Sequence, residues 1–227
     1  MHTEDGEVLV GEVSTPSDRE PTGTVVALHP LTMEGGSSDS HLIRKMAWRL
    51  PALTGLAVVR FNFRGARSTL GASSGEWSQA EGEGYDLRAA LAEVERRRLP
   101  APWLVGWSFG TDVLLKHGNV DPVAGGVLLS PPLRWSTSFD LDGWHLSGRP
   151  LLAMVPEFDD YLRPREAEQR FAGVPEARVV DVPGARHLWV GEVYVRIVLN
   201  GIVGVILPDH GPLPTHWSGP MTNWSSP

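Results

Sequence analysis

Five consecutive residues near the middle of the chain have the spacing of a reactive serine turn. Gly106-Trp107-Ser108-Phe109-Gly110 follows a short apolar run and precedes the apolar segment Val113-Leu114-Leu115. Between a strand and a helix, glycines two residues to either side allow the serine a strained backbone conformation that projects its Oγ above the sheet. The alternative is a glycine-rich loop with an idle serine. The flanking strand and helix signals favour a nucleophilic Ser108.

A nucleophilic serine needs a general base and an acid that orients the base. His187 is the histidine that follows a β-branched apolar segment directly, with an ordinary loop histidine as the alternative. Three acids follow the preceding apolar segment: Glu157, Asp159 and Asp160. Serine, then acid, then histidine is a known chain order for such triads. We prefer Asp159 as the acid, and Asp160 is its main rival.

Acyl transfer also needs donors for the oxyanion that develops during attack. The backbone N–H of Phe109, just after the nucleophile, is one candidate. The other is the N–H of Leu31, in the loop His29–Gly36 that follows an apolar strand. We interpret His29 as a structural, hydrogen-bonding histidine. No phosphate-binding motif accompanies Gly35-Gly36, so no nucleotide cofactor is expected.

The segments that must position these residues alternate between β-branched runs and amphipathic stretches. This alternation predicts a mostly parallel sheet with crossover helices. The first strand alternates polar and apolar residues and should be an antiparallel edge. The predicted strands are Glu7–Val13, Thr24–Leu28, Leu56–Asn62, Trp103–Gly106, Ala124–Leu129, Leu151–Val155 and Ala177–Val182. The predicted helices are His41–Leu50, Gly84–Arg98, Thr111–His117, Pro164–Phe171 and Val193–Leu207.

We expect a single domain over residues 1–207, with a short cap over about 130–149 and an irregular tail over 208–227. The cap segment carries Trp135, Phe139 and Trp144, and Trp107 and Trp189 neighbour the predicted triad. We therefore predict an apolar substrate pocket formed by Trp107, Trp135 and Trp189. Core filling is the simpler interpretation of the nine tryptophans.

Composition excludes several classes of function. The 227 residues carry a net charge of −7, which disfavours nucleic-acid binding. Cysteine is absent, which excludes disulfides and thiolate nucleophiles. No histidine pair has metal-ligand spacing, so neither a metal nor another cofactor is expected. The N-terminus lacks a secretory pattern and no apolar run is long enough for a membrane span, so a cytoplasmic location is the default. A homodimer is compatible with the sequence.

Five short motifs occur in order along the chain: His29-Pro30, Arg60-Phe61-Asn62-Phe63-Arg64-Gly65, Gly106-Trp107-Ser108-Phe109-Gly110, Glu157-Phe158-Asp159 and Gly184-Ala185-Arg186-His187. Together they resemble the α/β-hydrolase superfamily, and more narrowly its small bacterial serine esterases near the dienelactone hydrolases. The resemblance extends from about Gly23 to Leu207. It implies a three-layer fold with about seven strands, helices on both faces and a minimal cap.

The resemblance also implies roles for residues. The family pattern G-E-x-D with a later proline, here Pro164, assigns the acid to Asp159. Pro156 replaces the family's glycine, which leaves Asp160 open. The loop 66–70 departs from the family pattern and bears on substrate shape. Dienelactone hydrolases use a cysteine nucleophile, so that activity is not implied. The expected activity is hydrolysis of small to medium carboxylic esters. Alternatives are a thioesterase, amidase or acyltransferase on the same triad, or a catalytically silent ligand-binding protein.

Overall fold

The computed structural model describes residues 1–219, and seven of its strands form one sheet. The strands are β1 (Gly11–Ser14), β2 (Gly23–Leu28), β3 (Leu56–Phe61), β4 (Arg67–Ser68), β5 (Gly71–Ala72), β6 (Pro102–Trp107), β7 (Gly125–Leu129), β8 (Leu151–Phe158) and β9 (Ala177–Arg186). The order across the sheet is β1-β3-β2-β6-β7-β8-β9, and β4 pairs with β5 separately. β1 is antiparallel to β3, whereas the other neighbours in the large sheet are parallel. The predicted fold class is confirmed.

Helices cover both faces of this sheet. They are α1 (His41–Thr54), α2 (Glu83–Arg96), α3 (Phe109–His117), α4 (Ser138–Ser147), α5 (Pro164–Phe171) and α6 (Glu192–Ile206). Buried residues of α1 and α6 share one apolar cluster with Val25 of β2. Buried residues of α2, α3, α4 and α5 share the other cluster with Val26 of the same strand. Alternate side chains of a strand point to opposite faces, so the sheet separates two cores.

The structure differs from the sequence prediction mainly at the ends of the sheet and between β7 and β8. The edge strand is shorter than the predicted Glu7–Val13 and lies later in the chain, at Gly11–Ser14. The β4–β5 pair and helix α4 were not predicted. Trp144 of α4 is fully buried, and its Nε1 donates to the carbonyl of Leu115 at 3.0 Å. This tryptophan therefore belongs to the core, while Phe139 is largely exposed.

The tail beyond α6 returns to the body of the protein. The N–H of Leu213 donates to Oδ1 of Asn200 at 2.7 Å, and the Leu213 side chain is buried. Residues 220–227 of the predicted tail lie outside the described residues. No helix within residues 1–219 combines the length and apolar character needed to cross a membrane.

Candidate active site

Ser108 occupies a sharp turn between β6 and α3. Its φ of 52° and ψ of −120° lie in a region that non-glycine residues rarely adopt. A Cβ on Gly106 would lie 2.5 Å from the carbonyl oxygen of Gly110, and one on Gly110 would lie 2.2 Å from that of Leu28. Both glycines are therefore required by close backbone approach, as the G-x-S-x-G spacing indicates. Ser108 is the only strained member of this turn and remains partly accessible.

The structure brings Ser108, His187 and Asp159 into one hydrogen-bonded line. His187 Nε2 lies 2.8 Å from Ser108 Oγ, and His187 Nδ1 lies 2.9 Å from Asp159 Oδ2. The carboxylate can only accept, so Nδ1 carries a proton and Nε2 is free to accept from the serine hydroxyl. This is the geometry of a nucleophile, a general base and an orienting acid.

The acid that faces His187 is Asp159, and its neighbour Asp160 is exposed. Oδ1 of Asp159 also accepts the N–H groups of Tyr161 at 2.9 Å and Leu162 at 3.3 Å. Burial by itself would raise the pKa of Asp159. The hydrogen bond and charge of His187, together with these N–H donors, outweigh burial and hold the pKa below its ordinary value. The third candidate, Glu157, instead accepts the N–H of Gly184 at 2.7 Å.

The loop that supplies the second predicted oxyanion donor follows β2 and is fixed by His29. His29 is fully buried, with Nδ1 2.6 Å from the carbonyl oxygen of Pro30, and Nε2 accepts the N–H of Phe63 at 2.9 Å. Burial lowers the pKa of His29 to about 4, despite its hydrogen bond to Pro30. His29 is thus a neutral structural residue that holds the chain just before Leu31.

The two predicted oxyanion donors lie at the start of helical segments. Phe109 is the first residue of α3, and Leu31 immediately precedes a short 3₁₀ helix, Thr32–Glu34. Within residues 1–219 neither N–H donates to another protein group. The close approach of Gly110 to the carbonyl of Leu28 places the start of α3 against the end of β2. An oxyanion role for Leu31 and Phe109 stays a prediction.

The Arg60–Gly65 motif supports this loop from the neighbouring strand. Phe63 donates its N–H to His29, and the N–H of Arg64 donates to Asp86 Oδ2 at 2.8 Å. The guanidinium of Arg64 also binds Asp86 Oδ1 at 2.8 Å. Burial raises the pKa of Asp86 against the lowering effect of Arg64. The motif therefore links the predicted oxyanion loop to α2 through a buried ion pair.

The three tryptophans of the predicted pocket are separated by the structure. Trp107 is 3% exposed and Trp189 is 0% exposed, so neither presents a face to a substrate. Both belong to the buried apolar cluster that also contains residues of α1 and α6. Trp135 is partly exposed and packs edge-on against Phe109, with ring centroids 5.2 Å apart. Trp77, which the sequence patterns did not single out, contacts both rings.

A cleft of about 220 Å³ opens beside His187. Leu188 and Val190 in the cleft are exposed, and the Tyr161 ring packs at a tilted angle against the imidazole, with ring centroids 4.6 Å apart. The cleft is formed by Asp160, Gly184, Arg186, His187, Leu188, Val190 and Tyr194. A larger cavity of about 330 Å³ lies between α1, α6 and residues 213–217 and contains no triad residue. Among the residues that the structure describes, no group of histidine and acidic side chains is arranged to hold a metal ion.

Comparison with known proteins relates the chain to hydrolases through structure. No protein-family model matches it, and no curated protein sequence matches it either. The solved structures that match it include two that are 25% identical in sequence. An α/β serine hydrolase without lid from Xanthomonas campestris has a TM-score of 0.69 over 88% of each chain. An α/β serine hydrolase homologue from Coxiella burnetii has a TM-score of 0.68 over 87% of this chain and 98% of its own.

More distant structures share the fold. An esterase from Pyrococcus furiosus is 20% identical, with a TM-score of 0.70 over 92% of this chain and 88% of its own. At this identity the match shows the fold alone. The chain therefore has the α/β-hydrolase fold, and the predicted resemblance to small bacterial serine hydrolases is confirmed.

Proposed function

We propose that this protein is a serine hydrolase that cleaves carboxylic esters of small to medium size through an acyl-enzyme. The observation that supports the proposal most strongly is the hydrogen-bonded line from Asp159 through His187 to Ser108, with distances of 2.9 and 2.8 Å. The strained φ of 52° at Ser108 is a second support. Strain of this kind persists where it serves a function, because folding alone would select a relaxed turn.

The geometry supports a two-step reaction. Ser108 Oγ attacks the ester carbonyl carbon while His187 Nε2 takes the hydroxyl proton. The negative charge that develops on the carbonyl oxygen is stabilised by the N–H groups of Leu31 and Phe109. The tetrahedral intermediate then expels the alcohol, which takes the proton from His187. In the second step water, deprotonated by His187, attacks the acyl-enzyme and releases the acid and free Ser108.

Asp159 acts on the imidazole in both steps. Its carboxylate holds the proton on Nδ1, so that Nε2 is the atom that exchanges a proton with the substrate. It also stabilises the imidazolium formed during attack, because an ionised carboxylate 2.9 Å away lowers the energy of that cation. The low pKa of Asp159 keeps the carboxylate ionised at neutral pH.

The surroundings favour small to medium substrates. The departing alcohol must lie on the His187 side of Ser108, because His187 protonates it, and the cleft of about 220 Å³ lies on that side. The connection from β7 to β8 holds only α4, which packs against α3 in the core, and Trp135 contacts Phe109 at the site. The site is therefore open, and the partial exposure of Trp135 supports it as the substrate-contacting tryptophan among the three predicted.

Active-site labelling tests the proposal directly. A fluorophosphonate probe should modify Ser108 in the folded wild type, and the variant Ser108→Ala should not react. We expect Ser108→Ala to lower kcat on a short-chain aryl ester by about 10⁴-fold or more. The control Ser147→Ala removes a hydroxyl that donates within α4, to the Trp144 carbonyl at 2.9 Å, and should label normally. An unlabelled, folded wild type would refute the proposal.

A substrate panel tests the finer assignment. Short-chain aryl esters, matched thioesters and amides, long-chain acyl-CoA and peptides are compared by kcat/KM. We expect the short-chain esters to have the highest values. Preference for thioesters or amides would retain the triad but overturn the ester assignment, and preference for acyl-CoA or peptides would overturn the assigned substrate size.

A further inference from the structure

The backbone that carries His187 is held by side chains from three different elements. Trp107 Nε1 and Ser130 Oγ each donate to the carbonyl oxygen of His187, both at 3.1 Å. His41 Nε2 lies 2.8 Å from the carbonyl oxygen of Leu188. A carbonyl can only accept, so His41 carries its proton on Nε2. Two consecutive carbonyl groups of the histidine loop are thus fixed by three donors.

These donors connect the histidine loop to the strands that define the site. Trp107 is the last residue of β6 and directly precedes Ser108, while Ser130 directly follows β7. Trp107 and Ser130 are 3% and 1% exposed. His41 is the first residue of α1 and meets the Trp107 ring edge-on, with centroids 5.4 Å apart. The nucleophile and the histidine therefore share one buried support, although 79 residues separate them.

The side chains that follow His187 in the loop alternate between exposed and buried. Leu188 and Val190 are exposed, and Trp189 adopts φ 54° with its side chain buried in the core. The N–H of Trp189 donates back to Arg186 at 2.9 Å, which closes a tight turn around His187. Because the imidazole is attached to this turn, a displacement of the His187 backbone moves Nε2 relative to Ser108 Oγ.

We propose that Trp107, Ser130 and His41 are positioning residues that set the His187 backbone, and through it the distance from Nε2 to Ser108 Oγ. The inference rests on the proposed serine-hydrolase function. None of the three residues touches the reacting atoms of that reaction. A displacement of about 1 Å at a reacting group can cost about 10²-fold in rate. The loss in kcat should exceed any change in KM, because the distance from Nε2 to Ser108 Oγ acts on the chemical step, although the same loop forms part of the cleft.

The two donors on one carbonyl predict a non-additive result. Trp107→Phe and Ser130→Ala each leave one donor, and we expect each to lower kcat by about 3-fold. The double variant leaves the buried His187 carbonyl without a partner, an arrangement that native structures avoid, so the loop should move. We expect the double variant to lose about 10²-fold in kcat, well beyond the product of the single losses.

A matched control separates positioning from loss of stability. Trp144 donates to the buried carbonyl of Leu115 at 3.0 Å, and Ser147 donates to that of Trp144 at 2.9 Å. The double variant Trp144→Phe/Ser147→Ala removes the same two types of donor at a distance from His187. It should lower the Tm but leave kcat within about 2-fold of wild type. A kcat loss equal to that of Trp107→Phe/Ser130→Ala would overturn the inference.

His41 provides a second test, because its hydrogen bond to Leu188 is more exposed than those of Trp107 and Ser130. This test does not depend on whether Trp107→Phe/Ser130→Ala folds. His41→Leu removes the donor to Leu188, whereas the amide of His41→Gln can retain it. We expect His41→Leu to lower kcat by about 5-fold and His41→Gln to restore it to within about 2-fold of wild type. Equal kcat values for His41→Leu and wild type would overturn the assignment of His41.

A spectroscopic readout keeps this inference distinct from the proposed function. The proton on His187 Nδ1, which bridges to Asp159, should give a downfield ¹H resonance in the wild type. In Trp107→Phe/Ser130→Ala we expect it to shift or broaden, and in Trp144→Phe/Ser147→Ala to stay unchanged. Absence of fluorophosphonate labelling in the wild type would refute the hydrolase function alone. An unchanged resonance and kcat in the folded Trp107→Phe/Ser130→Ala variant would refute the positioning network alone.

Discussion

Acidification should destabilise the protein through His29, the histidine buried beside the predicted oxyanion loop. In the folded chain burial lowers its pKa to about 4, from an ordinary value of 6.5. Between these two values the unfolded chain binds a proton that the folded chain does not. Stability contributed by neutral His29 is therefore present above pH 6.5 and is lost as the pH falls from 6.5 towards 4.

The magnitude follows from the gap between the two pKa values. Each unit corresponds to about 1.4 kcal/mol, so His29 should account for a loss on the order of 3 kcal/mol across this range. The main cause is burial of the imidazole, and the hydrogen bond from Phe63 acts in the same direction. Nε2 accepts the N–H of Phe63, and a protonated Nε2 has no lone pair with which to accept it. Protonation thus leaves a buried N–H unpaired next to a buried charge.

Urea denaturation at intervals from pH 7.5 to pH 4.5 measures how the unfolding free energy changes with pH. The comparison is with His29→Gln, whose amide can donate to Pro30 and accept from Phe63 without titrating. The difference in unfolding free energy between wild type and His29→Gln should narrow or reverse as the pH falls below 6.5. As a control, His216→Gln replaces an exposed histidine and should follow the wild-type curve. Parallel curves for wild type and His29→Gln would refute the burial argument.

Three further outcomes test the site and its supports. On a short-chain ester, Asp159→Asn should lower kcat by about 10⁴-fold, whereas kcat of Asp160→Asn, which changes an exposed residue, should stay within about 3-fold of wild type. The reverse ranking would assign the acid to Asp160. Gly110→Ala should unfold at a clearly lower urea concentration or not fold at all, because its Cβ would lie 2.2 Å from the Leu28 carbonyl oxygen. A urea midpoint equal to that of the wild type would contradict that packing. Asp140→Ala removes the acceptor of the Thr137 N–H at 2.7 Å and should cost about 1 kcal/mol in unfolding free energy with kcat unchanged.

Much of the fold could be predicted from local patterns. The continuous apolar runs of β2 and β3 and the proline that begins α5 predict their elements because each signal lies within the element itself. Helix α4 was missed because its ten residues have almost no amphipathic pattern, and its burial depends mainly on Trp144 against α3. The edge strand β1 was misplaced because an edge pairs on one side only, which constrains its sequence weakly.

The surroundings of the triad could not be predicted from local patterns, because they depend on contacts between residues that are distant in sequence. The partner of His41 could not be predicted, because a histidine at a helix start has no local sequence pattern that indicates a contact with residue 188. Trp107 and Trp189 were predicted to line a pocket because they neighbour triad residues in sequence. In a strand and in a tight turn, however, consecutive side chains point in different directions, and these two point into the core.

The sequence by itself indicated the turn at Ser108, because the strand, the glycine spacing and the helix that define the turn are consecutive in the chain, although Gly110 also allows the close approach of the distant Leu28 carbonyl. It also determined the order of serine, acid and histidine along the chain. Only the tertiary structure decided which carboxylate faces His187, since Asp159 and Asp160 are adjacent and chemically identical. The turn after β8 buries Asp159 at 2% exposure, against the N–H groups of residues 161 and 162, and leaves Asp160 in solvent. The residue pattern favoured Asp159 but left Asp160 open, because the choice depends on where the folded backbone places each side chain.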